Sequence, residues 1–396
     1  MNARLGGVGQ ARGSRPDFGS AAARSRGTVD AVSRRTAISL ISAGVLAGLG
    51  ACSRRAAGDG GSVVLYSSVD DEYLRLVVRA FEKSTGFRVL VKGDTEATKT
   101  TGLVERIRAE HAAGKPGADV WWSSEPFLTI ALADEGVFVP MTEEVFGDLP
   151  TEWRGGGTLW GAFANRARVV VRNPAGSEIG DDFMSPAFTR RGPAIARPQF
   201  GSTRGHFGQI LATTGEDCFV SWLRALRAGG VRIVDGNSAV VRMVASGEAP
   251  CGLTDTDDVW AGQRLGWAVE CEAACSGFGC TSGGAPGSGS GPPQMPIPNT
   301  VALVKGGANP AGAAALARYL LSAETERRLM ESDSHNMPVR TELIDEMRSG
   351  PLRKFVVEPG PRREVAADGL VEAPSLRQIA DAAPRAVELA RREGIA

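Results

Sequence analysis

The sequence predicts an α/β fold built on parallel sheet, and three observations predict it. Short β-rich apolar runs, beginning with SVVLYS at 62–67, are each followed by a segment whose apolar residues recur at helical spacing. Strand and helix patterns alternate as βαβαβ, the arrangement that lets parallel strands connect through helical crossovers. The alternation restarts after residues 168–171, so a chain of 396 residues is expected to hold two α/β series.

The first 51 residues stand apart from both series. Arg34 and Arg35 precede an apolar run over 36–51 that ends in Leu49-Gly50-Ala51-Cys52. The run is shorter than the roughly 20 apolar residues a bilayer span takes, and it is rich in Gly and Ala. A basic flank, an apolar stretch and a small-residue exit together read as a secretory signal peptide. The arginine pair resembles the twin-arginine export signal, with Ala37 where that signal favours phenylalanine. Leu49-Gly50-Ala51-Cys52 resembles a bacterial lipobox, whose cysteine is lipidated and becomes the first mature residue. Residues 1–51 are therefore read as signal peptide and Cys52 as the lipidation site, giving an exported protein anchored in the periplasm or at the cell surface.

Beyond the signal, residues 72–84 carry Tyr73, Leu76, Val77, Ala80 and Phe81 at helical spacing, and Gly86 stops that helix. A second strand is expected over 87–91, an amphipathic helix over 103–111, and a buried strand over 118–122 (ADVWW). The second series opens with the strand 168–171 and continues with a strand at 194–197 and a helix after His206. A strand at 231–234, a helix at 239–245 and a strand-turn at 251–254 complete it. Residues 270–298 form a loop dense in Gly, Pro, Ser and Cys. A strand at 300–304 precedes a long helix over 310–330 with Leu316, Leu320 and Leu321 on one face.

The chain has 45 Lys and Arg against 45 Asp and Glu, and seven arginines and two aspartates lie before Cys52. The remainder is mildly acidic and lacks the basic face expected of a nucleic-acid binder. Neither a Gly-x-Ser-x-Gly elbow nor a His-Glu-x-x-His helix is present, which weighs against a hydrolase. The missing Cys-x-x-Cys weighs against a thiol redox protein. Cys218, Cys251, Cys271, Cys275 and Cys280 match no common zinc spacing, and in an oxidising compartment they favour disulfides stapling the 270–298 loop. His111 and His335 have no partner spacing and receive no role.

Ligands of open parallel sheets sit beyond the carboxyl ends of the strands. Four groups qualify. Ser67, Ser68 and Asp70 follow the first strand, and Ser123, Ser124 and Glu125 follow ADVWW. Gly201, Ser202 and Thr203 follow ARPQF and open a helix, while Asp255, Asp257 and Asp258 follow CGLT. A Gly-Ser-Thr helix start suits an anion, or simply caps the helix, and nearby Arg204 and Asn237 favour the anion. The carboxylates are hard ligands that suit Fe³⁺, Ca²⁺, Mg²⁺ or Mn²⁺, and equally an organic ammonium group. A solvated acidic turn is the plainer alternative. Trp121 and Trp122 read as core rather than as a stacking platform.

The ordered segments LYSSVDDEYLRLVVRAFEKSTGFRV, ADVWWSSEP, ARPQFGSTRGH, VDGNSAVVRMVASGEAPCGLTDTDD and IPNTVALVKG resemble type II solute-binding proteins of ABC importers. Among these they are most similar to the ferric-iron-binding members, over residues 62–340. The resemblance implies a two-lobed fold with crossover strands at 163–171 and 299–304, hinged near them. Its first lobe takes 62–165 plus 300–396, and its second takes 166–299. It implies a monomeric binder, not an enzyme, that delivers its solute to a permease and an ATPase. The cargo would be ferric iron or another hard cation held with a synergistic anion, and no resident cofactor is implied. A small organic cation or phosphonate-type solute is the alternative, and a carboxylate-dependent surface hydrolase the alternative outside the class. Ser67, Ser68, Ser124, Gly201, Ser202, Thr203 and Asn237 would line the ligand, with Asp70, Glu125, Asp257 and Asp258 on the metal. Ferric-binding relatives place two adjacent tyrosines where this chain has Asp257-Asp258, so phenolate ligation is not expected. Facing carboxylates bury unpaired charge on closure, so closure is expected to need a cation.

Overall fold

The computed structural model describes residues 61–93, 101–175, 182–274, 278–280, 286–288, 294–356 and 373–396. The segment read as a signal peptide and Cys52 lie outside them. The first series runs β1 (Ser62–Ser67), α1 (Asp71–Thr85), β2 (Arg88–Gly93), α2 (Thr101–Ala112), β3 (Val120–Ser123) and α3 (Phe127–Asp134). Short β4 (Phe138–Val139), α4 (Glu143–Phe146) and β5 (Arg154–Gly155) lead into a strand of 13 residues, β6 (Trp160–Arg172). The second series comprises α5 (Pro186–Thr189), β7 (Ala194–Ala196), α6 (Gly201–Thr214), α7 (Glu216–Ala228), β8 (Arg232–Val234), α8 (Asn237–Ala245), β9 (Cys251–Asp255), α9 (Thr256–Arg264) and β10 (Glu270–Ala273). Then come β11 (Phe278–Cys280), β12 (Pro286–Ser288), β13 (Pro296–Val304), α10 (Pro310–Leu320), α11 (Ala323–Glu331), α12 (Thr341–Ser349) and α13 (Leu376–Arg392).

Each half has its own parallel set. β1 pairs in parallel with β2 and β3, and β7 pairs in parallel with β8 and β9. Two antiparallel strands join the sets in the order β2-β1-β3-β13-β6-β9-β7-β8. β6 belongs to both halves: residues 160–167 pair with β13, and residues 168–172 pair with β9. Local chemistry explains the elements. In α1 the apolar face of Tyr73, Leu74, Val77, Val78 and Phe81 is buried, and Gly86 ends the helix in the left-handed conformation with its N–H on the Glu82 carbonyl.

Where β6 and β13 cross between the halves, the ladder slips. Phe163 faces Asn299 and Asn165 faces Pro298, which leaves Ala164 as the extra residue of a bulge at φ 48°. Side chains pin it there. The Ala164 N–H donates to Glu326 Oε1 at 2.9 Å, and Asn299 Nδ2 donates to the Ala164 carbonyl at 2.7 Å.

Three expectations change. The 310–330 segment is two helices, because the Ser322 hydroxyl accepts from the Thr325 N–H and caps α11 as a new start. Cys218 is disulfide-bonded, but Cys251 and Cys271 are free thiols, and burial pushes both up to about 12. The 270–298 loop begins as a strand, since β10 pairs antiparallel with β6. The C-terminal helix α13, counted above with the first lobe, packs on α6 and α7 of the second half as well as on α3. Gly208 makes that possible, because a Cβ there would stand 2.6 Å from the Ile379 carbonyl.

Candidate functional site

The polar groups gather where β1 and β3 end, opposite the starts of α6, α8 and α9. On the first-half side Ser67, Ser68, Ser123, Ser124 and Glu125 are all buried. Ser68 Oγ accepts from the Ser124 N–H at 3.0 Å and lies 3.2 Å from Ser124 Oγ, while Ser67 Oγ accepts from Val69 N–H. These serines knit two strand ends together. Glu125 Oε2 accepts from the Phe127 N–H at 2.6 Å and the Leu128 N–H at 3.3 Å, at the start of α3. Its Oε1 is buried with no hydrogen-bond partner among the described residues. Burial lifts the Glu125 carboxyl to about 7, against the pull of those N–H groups and of Arg204 and Arg166. Across the gap, Arg204 on α6 is shifted down by burial, with Glu125 opposing the shift.

On the second-half side the predicted anion group is committed to a buried arginine. Arg168 has no exposed surface, and its Nη1 lies 2.8 Å from Asp255 Oδ1 and 3.0 Å from Asn237 Oδ1. Arg168 Nη2 donates to Thr203 Oγ1 at 3.0 Å, and Ser202 Oγ donates to Asp255 Oδ2 at 2.6 Å. Asn237 Nδ2 donates to both Ser202 Oγ and Asp255 Oδ2 at 3.0 Å. So Ser202, Thr203 and Asn237 are brought together as expected, but their side chains satisfy an Arg168–Asp255 ion pair. Gly201 opens α6 at φ 54°, and the preceding Phe200 offers no side-chain cap. Buried His206, whose Nδ1 faces Arg168 Nε at 3.4 Å, is held well below the usual imidazole range by burial and by that arginine.

The acidic turn is close-packed. Carboxylate oxygens of Asp255, Asp257 and Asp258 lie within 4.8 Å of one another, a spacing a hard cation can bridge. A second arginine stands there already. Arg166 Nη1 is 3.1 Å from Asp257 Oδ2 and 3.5 Å from Asp255 Oδ2, and its Nη2 donates to the Ser124 carbonyl. Burial alone lowers Arg166, but Asp257, Asp255 and Asp70 together leave it above its ordinary value. Asp70, at the start of α1, thus faces the same field. Tyr73, one turn into α1, also feels Asp257, and burial pushes its phenol up to about 12. Trp121 and Trp122 are core: their indole N–H groups donate to Thr129 Oγ1 and Asn299 Oδ1.

The halves touch around this network. Gly205 lets α6 approach α3, since a Cβ there would stand 1.9 Å from the Phe127 ring. Arg264 of α9 reaches Glu72 of α1 at 3.5 Å and Asp333 at 3.0 Å. Sequence reasoning missed Arg166 and Arg168, although a signal was there. Two arginines two residues apart in the run FANRARVVV fall on one face of a strand, and buried cations demand partners.

The family model of bacterial extracellular solute-binding proteins matches residues 63–332. A Fe(3+)-binding periplasmic protein of Serratia marcescens is 22% identical over 224 residues, covering 54% of this chain and 62% of that relative. The matched part thus falls short of two thirds of the relative's length. Iron-bound HitA from Pseudomonas aeruginosa superposes with a TM-score of 0.62 at 20% identity, over 84% of this chain and 99% of that one. AfuA from Actinobacillus pleuropneumoniae, with fructose-6-phosphate bound, gives 0.61 at 15% identity over 83% and 96%. These likenesses carry the fold, two lobes of the type II periplasmic-binding-protein kind joined by the crossover strands β6 and β13. With the model matched across the ordered motifs and both lobes, the chain belongs to the bacterial extracellular solute-binding protein family.

Proposed function

We propose that this chain is the exported, lipid-anchored binding component of an ABC importer, and that it carries ferric iron or another hard cation together with an anion, without turnover. The observation that carries the reading is the acidic turn: three carboxylates within 4.8 Å at a strand end, in the gap between the lobes. Asp70 and Glu125 would approach from the first lobe, taken as 62–165 plus 300–396, and Asp257 and Asp258 from the second, 166–299. The names of the Serratia and Pseudomonas relatives support iron. Hard oxygen donors fit it, and here they fit once Arg166 swings out, because the guanidinium and the metal neutralise the same carboxylates. The anion would sit at the α6 start beside Arg204. Elemental analysis of the purified chain with native mass spectrometry tests this. One ferric ion and one small anion per chain are expected, and a metal-free protein that Fe³⁺ citrate does not stabilise would end the proposal.

A second reading has a specific observation behind it. Arg204 beside the α6 start, with Arg166 once it leaves Asp257, would offer positive charge to a phosphorylated or phosphonate solute, and a structural neighbour holds a sugar phosphate. In the same native spectrum, an organic phosphate adduct without metal would select it.

A further inference from the structure

A cavity of about 310 Å³ lies between the two crossover strands and α12, with Arg166 and Arg348 on its border. Asn165 of β6, Gln294 just before β13, the turn residues Met337 and Pro338, and Ile344 and Met347 of α12 line it. The volume falls at the lower end of small-molecule pockets and holds roughly ten water-sized volumes. Its wall is mainly apolar. Three polar atoms on lining residues have no hydrogen-bond partner among the described residues: Asn165 Oδ1, an acceptor, and Gln294 Nε2 and Arg166 Nε, both donors. Asn165 is buried to more than nine-tenths, and its backbone is already used, donating to Met337 O at 2.6 Å and accepting from Met337 N–H at 2.8 Å. Only its side chain is left unsatisfied. An orphaned buried polar atom costs roughly 1–3 kcal/mol, so a group that satisfies it is favoured.

We propose that this cavity is a second binding site, for a small uncharged molecule with an apolar body and an amide head. The amide N–H meets Asn165 Oδ1, the amide carbonyl meets Gln294 Nε2, and the body packs on Met337, Pro338, Ile344 and Met347. The inference does not rest on the reading of the cleft, because Asn165 and Gln294 take no part in the acidic turn or the Arg168 network, although Arg166 borders the cavity and pairs with Asp257.

Benzamide is the probe, with ethylbenzene as a partner of similar shape that lacks the amide. Thermal shift and saturation-transfer NMR on the whole mature chain should give a saturable response to benzamide and a weaker one to ethylbenzene. Met347→Trp, which fills the cavity, should abolish it. Asn165→Leu, which keeps the backbone pairing with Met337, should weaken benzamide at least tenfold and stand in if the tryptophan variant does not fold. No saturable benzamide signal up to its solubility limit, an equal response to ethylbenzene, or an unchanged response in Asn165→Leu would each overturn the site.

Discussion

Arg166 Nη1 lies 3.1 Å from Asp257 Oδ2 while the same guanidinium donates to the Ser124 carbonyl, so a carboxylate of the second lobe is tied to a strand end of the first. Whether closure needs an added cation, as the carboxylates alone suggest, therefore turns on competition with this arginine. The chain supplies its own, on the crossover strand, and burying a paired charge costs far less than burying a lone one.

Arg166→Gln should therefore destabilise the ligand-free protein by about 3–5 kcal/mol, as breaking a buried pair does. An added hard cation should restore part of the loss, so the cation-induced rise in Tm should be larger in the variant than in the parent. Differential scanning fluorimetry with and without Fe³⁺ citrate reads both. Equal cation shifts would mean that Arg166 and the cation do not compete.

Glu125 should make stability fall with rising pH. Its folded carboxyl sits near 7, above the ordinary value of 4.5, so below about 4.5 both folded and unfolded states hold the proton and no penalty exists. Between 4.5 and 7 the unfolded chain releases a proton that the folded chain keeps, and stability declines until it levels above 7. Glu125→Gln should match the parent at pH 4 and exceed it by up to about 3 kcal/mol at pH 8. Urea denaturation at the two pH values is the measurement, and a difference that does not change with pH would contradict the burial argument.

Gly205→Ala should hold the lobes apart. With a Cβ 1.9 Å from the Phe127 ring, either α6 retreats or the ring moves, and overpacking of this kind costs about 1–3 kcal/mol. Small-angle scattering should show a larger radius of gyration, and cargo affinity should drop by about tenfold. A parental radius and affinity would show that Phe127 yields freely.

The proposed anchor predicts that Cys52→Ala releases the protein from the membrane fraction, because the variant lacks the residue that would carry the acyl chains. Fractionation and intact mass decide it. An alanine variant that stays with the membranes as the parent does would remove the lipobox reading.

Much of the first half was legible because its signals are local. The α1 face and Gly86 are set within one helix length, and β1 and β3 are apolar runs between polar breaks. From residue pattern β6 was read only over 168–171, and the resemblance alone extended it to 163, since its earlier part, WGAFANRA, mixes small and polar residues whose pairing partners are β13 and, at its start, β5. The break before α11 was hidden because Leu316, Leu320 and Leu321 run right up to it and buried Leu329 and Met330 resume beyond it. At the site, the strand-end rule picked out Ser68 with Ser124 and also Ser202, which meets Asn237, but nothing local says that Arg168 threads among the second pair. Its partners Thr203, Asn237 and Asp255 are 35, 69 and 87 residues away.

The shared strand also makes the second lobe a cassette. The chain leaves the first lobe along β6 and returns along β13, and Ala167 and Pro296 are register partners, so departure and return are neighbours. A related binding protein's second lobe, spliced between those two positions, would inherit a ready-made pair of joints. The graft would bring its own specificity while the recipient kept its hinge. One further piece would have to travel with it: α13 covers α6 and α7 with Ala386, Leu389 and Ala390 in their core, so an exchange that left the old C-terminal helix behind would meet a foreign surface.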